Sequence, residues 1–152
     1  MATSIEKYLR KRAALDARPL TASALLDVDQ VVVIPVHAEE DLLPGTLASV
    51  GACEVLDRDR TLVVCVVNNR ASDPESIKQE NQRTLKELAA AVRERRYGLR
   101  LAVVDAASPG YEIPEKEGVG TARKIGLDWG AAILARSEEH TSVLQSRGLI
   151  SY

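Results

Sequence analysis

QVVVIPVHAEEDLLPGTLASV, residues 30–50, decides how the rest of the chain is read. Residues 31–34 are Val-Val-Val-Ile with no polar alternation, the pattern of a strand covered on both faces in a parallel sheet. Pro35 lacks an N–H and biases Ile34 towards an extended conformation, so regular pairing is expected to weaken there. A short acidic loop, residues 37–41, follows. Leu43, Leu47 and Val50 then recur at the spacing of one helix face. Strand, loop and helix follow one another, with the polar residues at the carboxyl end of the strand. Open α/β sheets hold their ligands at that edge.

Working outward, two more buried runs repeat the theme. Residues 61–67, TLVVCVV, predict a second strand, which ends in the polar cluster Asn68, Asn69, Arg70, Ala71, Ser72, Asp73. Pro74 suits a first helical turn with Asp73 as its N-cap. That helix is expected to reach Arg96, with Ile77, Leu85, Leu88 and Val92 inside and Gly98 as its stop. Residues 99–104 predict a third strand ending at Asp105. The loop 106–118, rich in Pro, Gly and charge, is long enough to be functional. GVGTARKIGLDWGAAIL then predicts a helix that buries Ile125, Trp129 and Ile133. Alternating strands and helices imply an α/β fold: a three-layer, Rossmann-like parallel sheet with right-handed crossovers. With only three strands the sheet is incomplete, and an open apolar edge is expected.

Composition agrees with one globular unit. The chain has 152 residues and is 45% hydrophobic, enough for a core, which must be aliphatic because Phe is absent. A net charge of -2 argues against nucleic acid as a partner, since a phosphate-backbone reader carries a basic excess. Cys53 and Cys65 are too few for a disulfide framework, and Cys65 reads as a core thiol. The start, MATSIEKYLRKR, has no apolar leader, and no run is long enough for a membrane span, so a cytoplasmic protein is expected. Residues 1–28 read as an N-terminal helix, over 3–17, and a linker. The basic run Arg10, Lys11, Arg12 reads as a solvated face of that helix. Residues 29–135 carry the α/β domain.

Residues 136–152, RSEEHTSVLQSRGLISY, have no periodicity and no buried-strand run. RSEEHTSVLQS resembles the conceptual translation of a short-read sequencing adaptor, with Val143 as the one departure. The natural chain is therefore expected to be cut near Ala135, and Glu138, Glu139 and His140 are given no role.

Each strand hands polar residues to the same edge: His37 and Glu39, then Asn68, Asn69 and Asp73, then Asp105. Carboxylates and amides gathered there suit ribose hydroxyls and base edges. Asp73 and Glu39 also fit plain capping roles. Gly118 and Gly120 precede a helix, where backbone N–H groups and the helix dipole favour an anion, with Lys116 and Arg123 adding charge. A Gly-rich helix entry with no ligand fits the same residues. The spacing is neither that of a dinucleotide fingerprint nor of a P-loop. Zinc-type spacing and a serine nucleophile elbow are also missing.

Three segments in this order resemble family 2 glycosyltransferases over residues 29–135. Pro35-Val-His37-Ala38-Glu39-Glu40 is similar to the Pro-x-x-Asn-Glu-Glu that ends the family's first strand, with Ala38 in place of Asn. VVCVVNNRASDP resembles the second strand and its polar turn, with Asn68-Asn69-Arg70-Ala71 where Asp-Asp-Gly-Ser is commoner. Gly118, Ala122, Arg123 and Gly126 match a Gly-x-x-x-Ala-Arg-x-x-Gly segment. The resemblance implies the nucleotide-sugar-binding half of a GT-A fold, with a nucleotide-diphosphate sugar as donor and an unspecified acceptor. It implies that Pro35, His37 and Glu39 flank the nucleoside, that Asn69 or Asp73 and Asp105 face base or ribose, and that Arg123 lies near the diphosphate. The family holds a divalent ion, Mg or Mn, on the diphosphate with an Asp-x-Asp motif after the next strand. Here the only such patterns, Asp27-Val-Asp29 and Asp57-Arg-Asp59, precede strands and read as turns. No residue present is thus expected to bind the metal or act as catalytic base, and the chain as it stands is expected to be inactive. A nucleotidyltransferase-like domain and a non-catalytic nucleotide-binding domain are the alternatives.

Overall fold

The computed structural model describes residues 18–22, 25, 27–138 and 148–151. The first helix expected over 3–17 and its basic cluster lie outside the described residues, as do Glu139 and His140. The described chain forms one open sheet of five strands in the order β1-β4-β3-β2-β5. The strands are β1 Leu20–Ala22, β2 Gln30–Val36, β3 Thr61–Asn68, β4 Arg100–Ala106 and β5 Gly148–Ser151. Strands β2, β3, β4 and β5 run parallel, and β1 is antiparallel to β4.

The three helices are α1 Leu43–Gly51, α2 Glu75–Glu94 and α3 Val119–Glu138. They bury the sheet on both faces, as the unbroken apolar runs require. Alternate residues of β2 face opposite ways: Val32, Ile34 and Val36 pack with Leu43, Leu47, Leu88 and Val92 beneath α1 and α2. Val31 and Val33 pack with Ala122, Ile125 and Ile133 beneath α3. The layering is therefore α/β/α, and every residue of β3 is buried. Helix α3 approaches the sheet closely because it offers small residues to it. A Cβ on Gly126 would lie 2.3 Å from Val33 Cγ1 and 3.0 Å from Val66 Cγ2.

Several expectations need correction. Pro35 does not weaken the ladder, for β2 pairs with β3 through to Val36↔Val67. On its other side β2 pairs with β5 only as far as Val33↔Ser151, so no ladder donor is required there at Pro35. The expected linker contains β1, held by pairing of Leu20–Ala22 with Val104–Ala102. The edge of β2 is not open, because β5, from the segment set apart as adaptor-like, covers it. Helix α3 likewise runs on to Glu138. Helix α2 stops at Glu94 rather than Arg96, with Arg95 taking the left-handed conformation at φ 50. Its buried stripe is Asn81, Thr84, Leu88, Ala91 and Val92, while Ile77 and Leu85 are only half-buried. Trp129 is half-buried against the α3 face, with an indole N–H that has no partner among the described residues.

Topology fixes where a ligand can enter. From β2 the chain moves through α1 to β3 and through α2 to β4, across one face. It then returns through α3 over the other face to β5, beside β2. The direction of winding reverses between β2 and β5; open α/β sheets bind ligands along the carboxyl ends of their strands, and here the crevice lies one seam over from the reversal, between β2 and β3.

Candidate functional site

A cleft of about 280 Å³ opens beyond the carboxyl ends of β2 and β3. Pro35, His37, Glu39, Asn68, Arg70 and Asp73 line it together with the start of α3, at Gly118 and Val119. Five of the nine residues named from the sequence thus meet in one cavity beside Pro35–Glu39 and Asn68–Asp73: His37, Glu39, Asn68, Asp73 and Pro35 itself.

The loop after β2 makes one wall. His37 is exposed, and its Nδ1 lies 2.9 Å from the carbonyl oxygen of Asn68. A carbonyl only accepts, so Nδ1 is the donor, and in the neutral ring Nε2 is then the acceptor. The Glu39 carbonyl accepts from Leu42 and Leu43 N–H at 3.1 and 2.9 Å and turns the chain into α1. The Glu39 carboxylate stays unpaired among the described residues. Between them Ala38 holds φ 50, the left-handed region that non-glycine residues seldom enter, Asn being one of the exceptions.

The tip of β3 is a buried amide cluster. Asn68 is 4% exposed and donates from Nδ2 to the carbonyls of Val36 and Val66 at 3.0 and 3.2 Å. Only its side-chain oxygen remains for the cleft. Asn69 is fully buried, donates to the carbonyls of Arg70 and Ala107, each at 3.2 Å, and accepts from Asn81 at 3.0 Å. Its polar atoms are spent on the protein, and it does not line the cleft. Both amides thus serve backbone carbonyls around the tips of β2, β3 and β4.

Asp73 is not the N-cap of α2. That position is Pro74, with no side-chain cap bond. The Asp73 carboxylate instead accepts the backbone N–H of Arg70 at 2.8 Å and closes the turn 70–73. Asp105 closes the equivalent turn after β4, accepting from Ala107 and Ser108 N–H at 3.0 and 2.8 Å, and lies outside the cleft lining. Lys116 and Arg123 are both exposed and also lie outside it. The guanidinium in the cleft is that of Arg70, which the sequence reading did not select. Its Nε donates to the Glu117 carbonyl at 2.6 Å, and a Cβ on Gly118 would lie 3.3 Å from its Nη2. Glu115 binds Ser72 through its backbone N–H at 3.1 Å and also through its hydroxyl, fastening loop 106–118 to the same turn.

The lining of the cleft is mixed. His37 Nε2, the Glu39 and Asp73 carboxylates and the Asn68 oxygen accept hydrogen bonds. Arg70, on the same turn as Asp73, and the first turn of α3 supply donors to the same cleft; there Gly118 accepts from Thr121 and Ala122 and the preceding N–H groups have no helical partner. Both Asp-x-Asp patterns lie at the amino ends of the strands, away from the cleft. Asp29 pairs with Arg60, whose guanidinium is held protonated above its ordinary range by that hydrogen bond, and Asp57 accepts the Asp59 N–H at 3.2 Å. No three His, Cys, Asp or Glu side chains among the described residues converge as a metal site. No helix among them is long and apolar enough to cross a membrane. No family model, curated protein or solved structure matches this chain.

Proposed function

We propose that this chain carries the nucleotide-binding half of a glycosyltransferase with a GT-A type sheet, and that the cleft takes the nucleotide part of a nucleotide-diphosphate sugar. The mixed lining of the cleft, with acceptors beside a guanidinium and a helix start, supports this reading. Ribose and sugar hydroxyls and base N–H groups donate, and suit Glu39, Asp73, the Asn68 oxygen and His37 Nε2. Phosphate oxygens only accept, and suit Arg70 and the N-terminus of α3. The residues bind and orient a donor. Among the described residues no three carboxylate, thiol or imidazole groups converge to hold the divalent ion that the family resemblance implies.

Calorimetry with UDP, GDP and UTP, with and without manganese, tests the reading. Weak diphosphate binding that ignores manganese is expected, weakened by Arg70→Ala on the order of tenfold, the loss of one charge-assisted contact. Arg123→Ala is expected to matter less, because Arg123 lies outside the cleft. A clear preference for UTP would favour a nucleotidyltransferase instead. No binding of any nucleotide, or equal affinity in Arg70→Ala, would remove the proposal.

A further inference from the structure

The largest departure from the expected pattern inside the core is Asn81, a carboxamide at full burial on the inner face of α2. Its oxygen accepts the Ala38 N–H at 3.0 Å. Its nitrogen donates to the Asn68 carbonyl and to Asn69 Oδ1, each at 3.0 Å. One side chain thereby joins the loop after β2, the tip of β3 and α2. The Asn68 carbonyl it holds is the same oxygen that receives His37 Nδ1.

We infer that Asn81 is the positioning residue of the cleft, fixing both the left-handed backbone at Ala38 and the tautomer of His37. This rests on the nucleotide-binding reading for its ligand, but not for its geometry. A left-handed alanine is unfavourable on its own and persists only where its surroundings hold it. The Asn81 oxygen supplies that hold through the Ala38 N–H, and Ala38 sits between the two cleft residues His37 and Glu39. The nitrogen end keeps the Asn68 carbonyl in place to receive Nδ1, which leaves Nε2 unprotonated towards the cleft. Only a carboxamide offers an acceptor at one end and two donors at the other in this space. A carboxylate would set an acceptor against the Asn68 and Asn69 oxygens. Asn69 cannot turn its amide to compensate, because its nitrogen already serves the Arg70 and Ala107 carbonyls.

Two variants test this, Asn81→Asp and Asn81→Ser, made with His140→Gln so that one histidine ring remains. The ring nitrogens of His37 are read by NMR at about pH 8, where an ordinary histidine is neutral, and UDP affinity is read by calorimetry. The unsubstituted position should show the Nδ1–H tautomer. Asn81→Asp at about pH 8 should shift it towards the Nε2–H form and weaken UDP on the order of tenfold, one hydrogen bond's worth. The introduced carboxyl, buried against two acceptors, has its pKa raised. It regains its proton as pH falls, and at about pH 7, where an ordinary histidine is still largely neutral, UDP affinity should have moved back towards that of the Asn81 protein at the same pH. Asn81→Ser should show the loss at both pH values. A folded Asn81→Asp protein with a lowered melting temperature but an unchanged His37 tautomer would overturn the inference. Failure of both variants to fold at either pH would also overturn it, by making Asn81 a general support of the fold. If the protein with Asn81 binds no UDP, the nucleotide reading fails while the tautomer still decides the role of Asn81.

Discussion

Glycines on one helix should respond to alanine with opposite signs. Gly126 and Gly120 both lie in α3. At Gly120 a Cβ meets nothing within 4 Å, so Gly120→Ala should gain part of the roughly 1 kcal/mol by which alanine exceeds glycine in helices. At Gly126 the same Cβ falls 2.3 Å from Val33 Cγ1 and 3.0 Å from Val66 Cγ2. Val33 is fully buried in a central strand, so neither partner can swing clear. Forcing a methyl into such a site costs about 1–3 kcal/mol, against which the propensity gain is the smaller term. Gly126→Ala should therefore lose about 1–2 kcal/mol, a fall of roughly 4 °C in Tm for a domain of this size. Trp129, the only tryptophan, sits three residues along the same helix and reports unfolding in urea by fluorescence. Adding Val33→Ala should recover much of the loss relative to Val33→Ala alone, giving a coupling between the two sites. If Gly126→Ala stabilises as much as Gly120→Ala, the close approach of α3 to the sheet is wrong.

Two further predictions follow from local features. Ala38→Asn should stabilise by about 0.5–1 kcal/mol, because Asn enters the left-handed region at less cost than Ala; a lower urea midpoint would mean that φ 50 is not held at this position. Burial pushes the Cys65 thiol up to about 12, so the folded state keeps its proton where the unfolded chain loses it. Stability should be untouched below the ordinary thiol range near pH 8.5 and fall as pH rises towards 12, by at most about 1.4 kcal/mol per unit. Cys65→Ala should lack that slope, and equal slopes in urea titrations between about pH 8 and 10 would contradict the burial argument.

The sheet was legible because Val-rich runs without alternation leave few other structures open to them, and the Leu43, Leu47, Val50 stripe placed α1 for the same reason. Strand β1 was not legible: three residues acquire strand character only from pairing with β4. Strand β5 shows no such run either and becomes a strand only beside β2. In α2 the apolar residues Ile77 and Leu85 drew attention from Asn81 and Thr84, although these continue the spacing of Leu88 and Ala91. Polar residues on an apolar helix face were the available signal of a buried network. Around the cleft, the sequence reading named the loops that line it but not the contacts within them. Arg70 enters the cleft because the turn closed by Asp73 and the contacts to Glu117 and Glu115 aim it there. Arg123, which carries the more familiar motif, stays on the outside of its helix. Asn69 and Asp105 serve the backbone nearest to them, as short polar side chains at strand ends often do.

The pairing of β2 with β5 has a consequence for how the molecule assembles. The contacts of β2 with β3, and of β3 with β4, join neighbours in the chain through one helix each. The partner of Gln30 on the far side is Gly148, so that seam spans more of the sequence than any other strand pairing among the described residues. Loop closure of that length is slow relative to the local units. During synthesis the inner strands can therefore dock while one flank of β2 is still bare, and its backbone groups remain available to other chains until β5 arrives.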